Sequence, residues 1–126
     1  MKEAIQKLAK KYPSIKLVYL FGSRARGDFG TLSDYDFAIH LDEPQKEART
    51  QLQLELINEL SSMLETDAID LVILNDVDKP ELKYDILREG QLLYEEEPFS
   101  LIVEPQILSK YFDFREGLRS NHLTKA

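Results

Sequence analysis

Residues 19–36 read YLFGSRARGDFGTLSDYD, and this stretch decides the fold of the chain. An apolar run ends at Gly22 and Ser23, ten residues follow, and Asp34 and Asp36 then flank a single residue before the chain turns apolar again. A strand that ends in small residues and opens a short helix presents free backbone N–H groups and a hydroxyl, which suit phosphate oxygens. We therefore interpret the Gly-Ser pair as a phosphate-binding turn.

The two aspartates stand at positions i and i+2 of a predicted strand. Side chains alternate along a strand, so both carboxylates point to one face. Two carboxylates on one face can hold Mg²⁺, which prefers oxygen ligands. Together with the phosphate-binding turn they indicate a site for a nucleoside triphosphate and its metal. Taken alone, Asp34 and Asp36 are equally compatible with ordinary turn chemistry.

The composition indicates the number of domains and the kind of metal that the chain could bind. The chain has 126 residues, of which 43% are hydrophobic, and this predicts one globular domain with one core. It has no cysteine and only two histidines, which argues against disulfides and zinc and leaves carboxylates to hold Mg²⁺ or Mn²⁺.

Charge and hydropathy patterning exclude two further classes. The formal net charge of −7 disfavours unaided binding to a nucleic-acid backbone, and so a polymerase or DNA-binding role. No apolar run approaches the roughly 18 to 20 residues that span a bilayer, and the N-terminus lacks a signal-peptide core. We therefore expect a cytoplasmic protein that binds neither membrane nor nucleic acid directly.

The hydrophobic periodicity predicts alternating helices and strands. Helices are expected over residues 2–12, 23–29 with Ser23 as its N-cap, 44–65, 80–88, and after residue 105, where the stripe is strongly aromatic. Strands are expected at 15–21, 36–41, 68–74 and, as an edge strand, 91–94. The alternation predicts an α/β fold, and the short connection between the first two strands predicts a small mixed sheet flanked by helices.

Three further residues are candidates for the site. Asp70 lies in the otherwise apolar third strand, where an unpaired buried carboxylate would cost several kcal/mol, on the order of what a bound cation would offset; a structural acid satisfied by backbone N–H groups is the alternative. Arg24 and Arg26 follow the phosphate-binding turn and could meet phosphates. Exposed arginines at helical positions are, however, commonly ordinary surface residues.

The Gly-Ser pair, the ten-residue spacer and the Asp-x-Asp pair resemble the GSX10DXD signature of the nucleotidyltransferase (DNA polymerase β-like) superfamily. The chain most resembles its minimal nucleotidyltransferase (MNT) antitoxins, which are often encoded beside a HEPN-domain toxin. Specific motifs carry this resemblance from the first helix to about residue 74. It implies that Gly22 and Ser23 contact the triphosphate of ATP, that Asp34 and Asp36 bind two Mg²⁺ ions, and that Asp70 completes the site.

The resemblance also implies a function. The chain would be an ATP- and Mg²⁺-dependent protein adenylyltransferase that transfers AMP to a hydroxyl group of a cognate HEPN-type toxin. We expect this hydroxyl to belong to a tyrosine, and the transfer would make the chain an antitoxin. Two alternatives stay open: neutralisation by binding alone, and transfer to a small molecule such as an aminoglycoside, for which the chain has little room for a substrate-binding domain.

We expect a single domain over 1–126, with a catalytic core at about 1–95 and a helical tail at about 98–120. The aromatic tail helix is compatible with core packing and with an interface.

Overall fold

The computed structural model describes residues 1–27 and 34–125, with side chains as far as residue 119. The helices are α1 (Lys2–Lys11), α2 (Gly22–Arg26), α3 (Lys46–Leu64), α4 (Pro80–Glu89) and α5 (Phe99–Lys125). The strands are β1 (Ile15–Phe21), β2 (Tyr35–Leu41), β3 (Ile69–Ile73) and β4 (Gln91–Glu95), and a 3-10 turn at Leu74–Asp76 follows β3. Within these ranges no helix is long and apolar enough to cross a membrane.

The four strands form one sheet in the order β3-β2-β1-β4. Strand β1 is antiparallel to both β2 and β4, whereas β2 and β3 are parallel. The predicted α/β fold with a mixed sheet is confirmed, and so is the edge position of β4. Strand β1 is apolar on both faces because helices cover both sides of the sheet at this central position.

Each face of the sheet has its own hydrophobic core. The α1/α3 core lies between the sheet and helices α1 and α3, and includes Ile5, Leu8, Phe37, Ile39, Leu56 and Leu60. The α4/α5 core lies on the opposite face and consists of Leu17, Tyr19, Ala38, Leu74, Ile86, Val103 and Ile107. Alternation along β2 sends Phe37 and Ile39 to the first core and Ala38 to the second, as a period of two requires.

Helix α2 differs from its prediction. It begins at Gly22, with Phe21 as N-cap, so Ser23 lies in its first turn and is not the N-cap. It ends at Gly27, whose φ of 81° is left-handed and whose N–H donates to the Ser23 carbonyl oxygen. A left-handed residue stops a helix at that point, and this favours glycine. Residues 28 and 29, which the prediction included in this helix, lie outside the described part of the chain.

Helix α5 begins earlier than predicted. It starts at Phe99 and carries Pro105 in its interior, whereas the proline was expected to precede the helix. Val103 and Ile107 are both buried in the α4/α5 core, so packing against the sheet fixes the helix on either side of the proline. Tertiary packing here outweighs the local cost of a proline, which removes one helical hydrogen bond.

Candidate active site

Two acidic side chains meet where neighbouring strands run in parallel. Asp36 of β2 and Asp70 of β3 are register partners, and both belong to the positions that face the α4/α5 side of the sheet. The Asp70 side chain acts on the pKa of Asp36, so the two carboxyl groups lie close together. Asp34 directly precedes β2 and is exposed. Asp36 and Asp70 therefore adjoin at one end of β2 and β3, and Asp34 lies just before that end of β2.

The environment of Asp36 is electrostatically unfavourable for a carboxylate. Burial raises the pKa of Asp36 above its ordinary value, and the negative charges of Asp70 and Asp34 raise it further. Arg26 acts in the opposite direction. A group whose charged form is penalised in this way is stabilised by a cation placed between the acids.

Gly22, the first residue of the predicted phosphate-binding turn, lies directly against Asp36. Phe21, the last residue of β1, is the register partner of Asp36. Gly22 follows with a φ of 73°, and a Cβ atom added to it would collide with the Asp36 carboxylate. Only glycine meets both demands, since it accepts the left-handed conformation and leaves the space free. The turn and the carboxylate thus belong to one continuous surface.

Two side chains, one at the end of α4 and one at the start of β4, contact α2. The Gln91 amide donates a hydrogen bond to the Ala25 carbonyl oxygen at 3.1 Å. A Glu89 carboxylate oxygen lies 3.7 Å from a guanidinium nitrogen of Arg26. The sequence analysis did not find Glu89 or Gln91, because only the tertiary structure, in which β4 pairs with β1 and α4 packs near α2, brings them beside α2.

The structure places the two arginines differently. The Arg24 guanidinium lies 3.8 Å above the ring of Tyr35, which packs against the α1/α3 core on the face opposite the acids. Arg26 is the one that acts on the charge of Asp36. Both remain predicted phosphate ligands, and the described contacts connect Arg26 more directly with the acids.

The burial argument for Asp70 is wrong. Asp70 is exposed, because β3 is an edge strand of the sheet and its end is not covered at this position. An exposed carboxylate needs no cation to offset the cost of desolvation. The case for Asp70 therefore depends on its contact with Asp36 and not on burial.

The residues present fit Mg²⁺ by their chemistry. The donors are carboxylate oxygens, and the mutual repulsion of the acids favours a cation. Over residues 1–27 and 34–125, however, no three acidic or imidazole side chains already converge as a metal-binding group. The adjoining carboxyl groups of Asp36 and Asp70 are the existing part of such a site, and the charge of the exposed Asp34 acts on Asp36.

Comparisons with known proteins agree with this geometry. The family described as "Polymerase beta, Nucleotidyltransferase" matches residues 3–99. The chain is 33% identical over 103 residues to the protein adenylyltransferase MntA of Aphanizomenon flos-aquae (strain 2012/KM1/D3), in an alignment that covers 76% of this chain and 67% of that protein.

Two solved structures have a similar fold. A chain of a toxin–antitoxin crystal structure with AMP-PNP superposes with a TM-score of 0.76 at 25% identity, covering 97% of this chain and 98% of that one. A chain of the structure of a tri-AMPylated Shewanella oneidensis HEPN toxin in complex with its MNT antitoxin gives a TM-score of 0.69 at 23% identity, covering 97% and 95%. At that identity the second likeness shows the fold alone.

Proposed function

Because this chain belongs to the polymerase β-type nucleotidyltransferase family, and within it to the MntA-type minimal nucleotidyltransferases, we propose that it transfers AMP from ATP to a hydroxyl group of a HEPN-type toxin and thereby acts as an antitoxin. One observation carries the proposal. Gly22 contacts the carboxylate of Asp36, which in turn contacts Asp70, so a phosphate-binding turn and two acids share one surface.

The strand order supports a separate side for each of the two reactants. The turn after β1 lies on one side of Asp36, and Asp70 on β3 lies on the other. The triphosphate then binds at Gly22 and Ser23, with Arg26 and Arg24 as further phosphate ligands. The acceptor hydroxyl approaches from the exposed side of Asp70, where the sheet edge leaves room for a protein surface.

The reaction is an in-line displacement at the α-phosphorus. The acceptor oxygen forms a new bond to this phosphorus, the bond to the bridging oxygen breaks, and pyrophosphate leaves with the electron pair. The acceptor proton passes to a carboxylate oxygen of Asp70. Asp34, Asp36 and Asp70 would hold two Mg²⁺ ions, which when bound supply positive charge against the charge that grows on the attacking and leaving oxygens.

The proposal extends to the setting of the reaction. ATP and a HEPN-type toxin are the partners, the toxin in a hetero-oligomer, and nucleic acid is not bound directly. Both ATP and Mg²⁺ are abundant cytoplasmic solutes, which supports a cytoplasmic site of action. Residues 1–126 form one domain in this proposal, with the catalytic core at about 1–95 and α5 as the helical tail.

Co-expression with the toxin, followed by intact-mass spectrometry of the toxin, tests the transfer. Each AMP adds about 329 Da, the adenylate left after pyrophosphate departs. We expect these increments with the wild-type chain and none with Asp34→Asn combined with Asp36→Asn. Asp42→Asn combined with Asp85→Asn, at two exposed positions outside the site, is the matched control.

Neutralisation by binding alone is a second candidate, which the surface of α5 favours. Leu101, Leu108 and Phe112 are 75%, 38% and 59% exposed and fall on one side of the helix at spacings of seven and four residues. Such an apolar row fits a protein interface. If the toxin gains no mass yet is neutralised by the Asp34→Asn, Asp36→Asn variant, binding is the mechanism and transfer is not.

A further inference from the structure

A small cavity opens on the same face of the sheet as Asp36, at the far end of β2. Its volume is about 230 Å³, and its lining consists of His40, Leu74, Asn75, Lys83, Val103, Gln106, Ile107 and Lys110. His40 is four residues after Asp36, or roughly 13 Å along the strand. Ala38, which is fully buried in the α4/α5 core, lies between them. The cavity is therefore separate from the candidate active site.

Two lysines from different helices converge on this cavity. Lys83 belongs to α4 and Lys110 to α5. Burial lowers the pKa of Lys83, and the neighbouring charge of Lys110 lowers it further, while Asp76 and Asp78 act in the opposite direction. Like charges held close together in a partly buried space are stabilised by an anion between them.

Two nearby acids, Asp76 and Asp78, act on the charge of Lys83 without forming a described ion pair with it. Asp76 is already bonded to Arg49, with a nitrogen to oxygen distance of 2.7 Å. Among the residues with described side chains, no carboxylate lies within ion-pair distance of Lys83 or Lys110. Two positive charges that line one cavity contrast with a chain whose formal net charge is −7.

Uncharged hydrogen-bond donors line the rest of the cavity, and hydrogen bonds to the backbone fix the position of Asn75 in its lining. Burial lowers the pKa of His40, so its imidazole is neutral at pH 7 and donates one N–H. Gln106 adds an amide. The Asn75 side chain is bonded to both the N–H and the carbonyl oxygen of Leu41, at 3.0 and 2.8 Å, which fixes the wall between the 3-10 turn and β2.

We propose that this cavity binds a phosphate dianion between Lys83 and Lys110, either as free inorganic phosphate or as the phosphate group of a small phosphomonoester. Its volume is below the roughly 300 to 1,000 Å³ of pockets that enclose whole drug-sized ligands, so it suits a single phosphate group. Both lysines also border a neighbouring cavity of about 310 Å³, whose lining includes Asp78 and which has room for the organic part of a phosphomonoester. The proposal is independent of the transferase function.

Proton NMR of the His40 ring provides a local test. The chain has two histidines, and His40→Asn identifies the signal. The protein is titrated with sodium phosphate, with glycerol 3-phosphate, and with sodium chloride at equal ionic strength and constant pH. We expect a saturable shift with the phosphates and none with chloride. Tighter binding of glycerol 3-phosphate identifies a phosphomonoester site, and equal or weaker binding identifies a site for free phosphate.

Charge-matched variants decide whether the lysines are responsible. Lys83→Gln combined with Lys110→Gln should weaken phosphate binding at least about tenfold, the usual scale for losing a hydrogen bond to a charged group. Lys7→Gln combined with Lys10→Gln removes the same charge from the exposed face of α1 and should leave binding unchanged. Circular dichroism verifies that both variants are folded.

Two results would overturn the proposal. One is the lack of a saturable His40 shift in the wild-type chain at up to about 50 mM phosphate, well beyond a millimolar dissociation constant. The other is an equal affinity in the Lys83→Gln, Lys110→Gln variant and in the control. Neither result would affect the toxin mass increments, so failure here is distinguishable from failure of the proposed transfer.

Discussion

Gly22→Ala should inactivate the protein far more than it destabilises the fold. The φ of Gly22 is 73°, and a Cβ there would lie 3.1 Å from Cγ and 3.4 Å from Cβ of Asp36, with a still closer collision against Oδ2. A left-handed alanine costs about 1 kcal/mol, and crowding a packed site adds about 1–3 kcal/mol. The carboxylate or the turn must therefore move.

Gly27→Ala is the matched control. Gly27 has a similar φ of 81°, but none of the described residues lies within 4 Å of the added Cβ. It carries the same left-handed cost of about 1 kcal/mol without the collision. Against a typical stability of about 5–15 kcal/mol, both variants stay folded at room temperature.

The expected results separate strain from collision. Urea unfolding should show Gly27→Ala about 1 kcal/mol and Gly22→Ala about 2–4 kcal/mol less stable than the wild type. Toxin mass increments should fall by about 100-fold in rate for Gly22→Ala, the scale for a displacement near 1 Å at a reacting centre, and little for Gly27→Ala. Equal rates in the two variants would refute the reasoning, because the contact between the turn and Asp36 would then have no role.

Three further predictions concern the metal, the separate roles of Asp70 and Ser23, and the ion pair between Arg49 and Asp76 outside the site. ATP binding should require divalent metal, because phosphate charge beside the acids is otherwise repulsive; equal affinity in EDTA, measured by calorimetry, would contradict a metal-bridged site. Asp70→Asn should lower transfer much more than Mg²⁺–ATP binding, whereas Ser23→Ala should lower nucleotide affinity more; loss of nucleotide binding in a folded Asp70→Asn protein would make this division of roles wrong. A hydrogen bond from Arg49 holds the pKa of Asp76 below its ordinary value. The bond therefore stabilises the folded protein at every pH above the pKa that Asp76 has in the unfolded chain. This stabilisation is lost as the pH falls through the lowered pKa of the folded protein. Asp76→Asn should therefore lower the urea midpoint at pH 7 and have no effect below that lowered pKa; an equal loss at both pH values would show a cause other than the charge.

Hydrophobic periodicity predicted most elements to within a few residues. Strand β1 coincides with its predicted bounds, and the helix predicted at 44–65 is confirmed by α3, which buries Leu56 and Leu60 completely. These patterns are local consequences of which side chains must leave water, so they are visible in the sequence. The tail helix was placed too late, since proline is a local signal and the burial of Val103 on the sheet is a tertiary one.

One part of the aromatic tail helix packs in the core, and another part is exposed. Val103 and Ile107 are buried, and Tyr111 stacks on Tyr84 with ring centroids 3.9 Å apart. Phe112 on the same helix is 59% exposed. The sequence could not separate these fates, because an aromatic stripe has the same spacing whether a sheet or a partner covers it.

The sequence by itself determined the family, the α/β fold and the candidate acids, because a Gly-Ser turn and an Asp-x-Asp pair at a fixed spacing are a local chemical pattern. Only the tertiary structure decided how these parts meet. Parallel pairing of β2 with β3 sets Asp36 against Asp70, and antiparallel pairing with β1 brings Gly22 against Asp36. Strand pairing joins residues that are distant along the chain, so no spacing in the sequence records it.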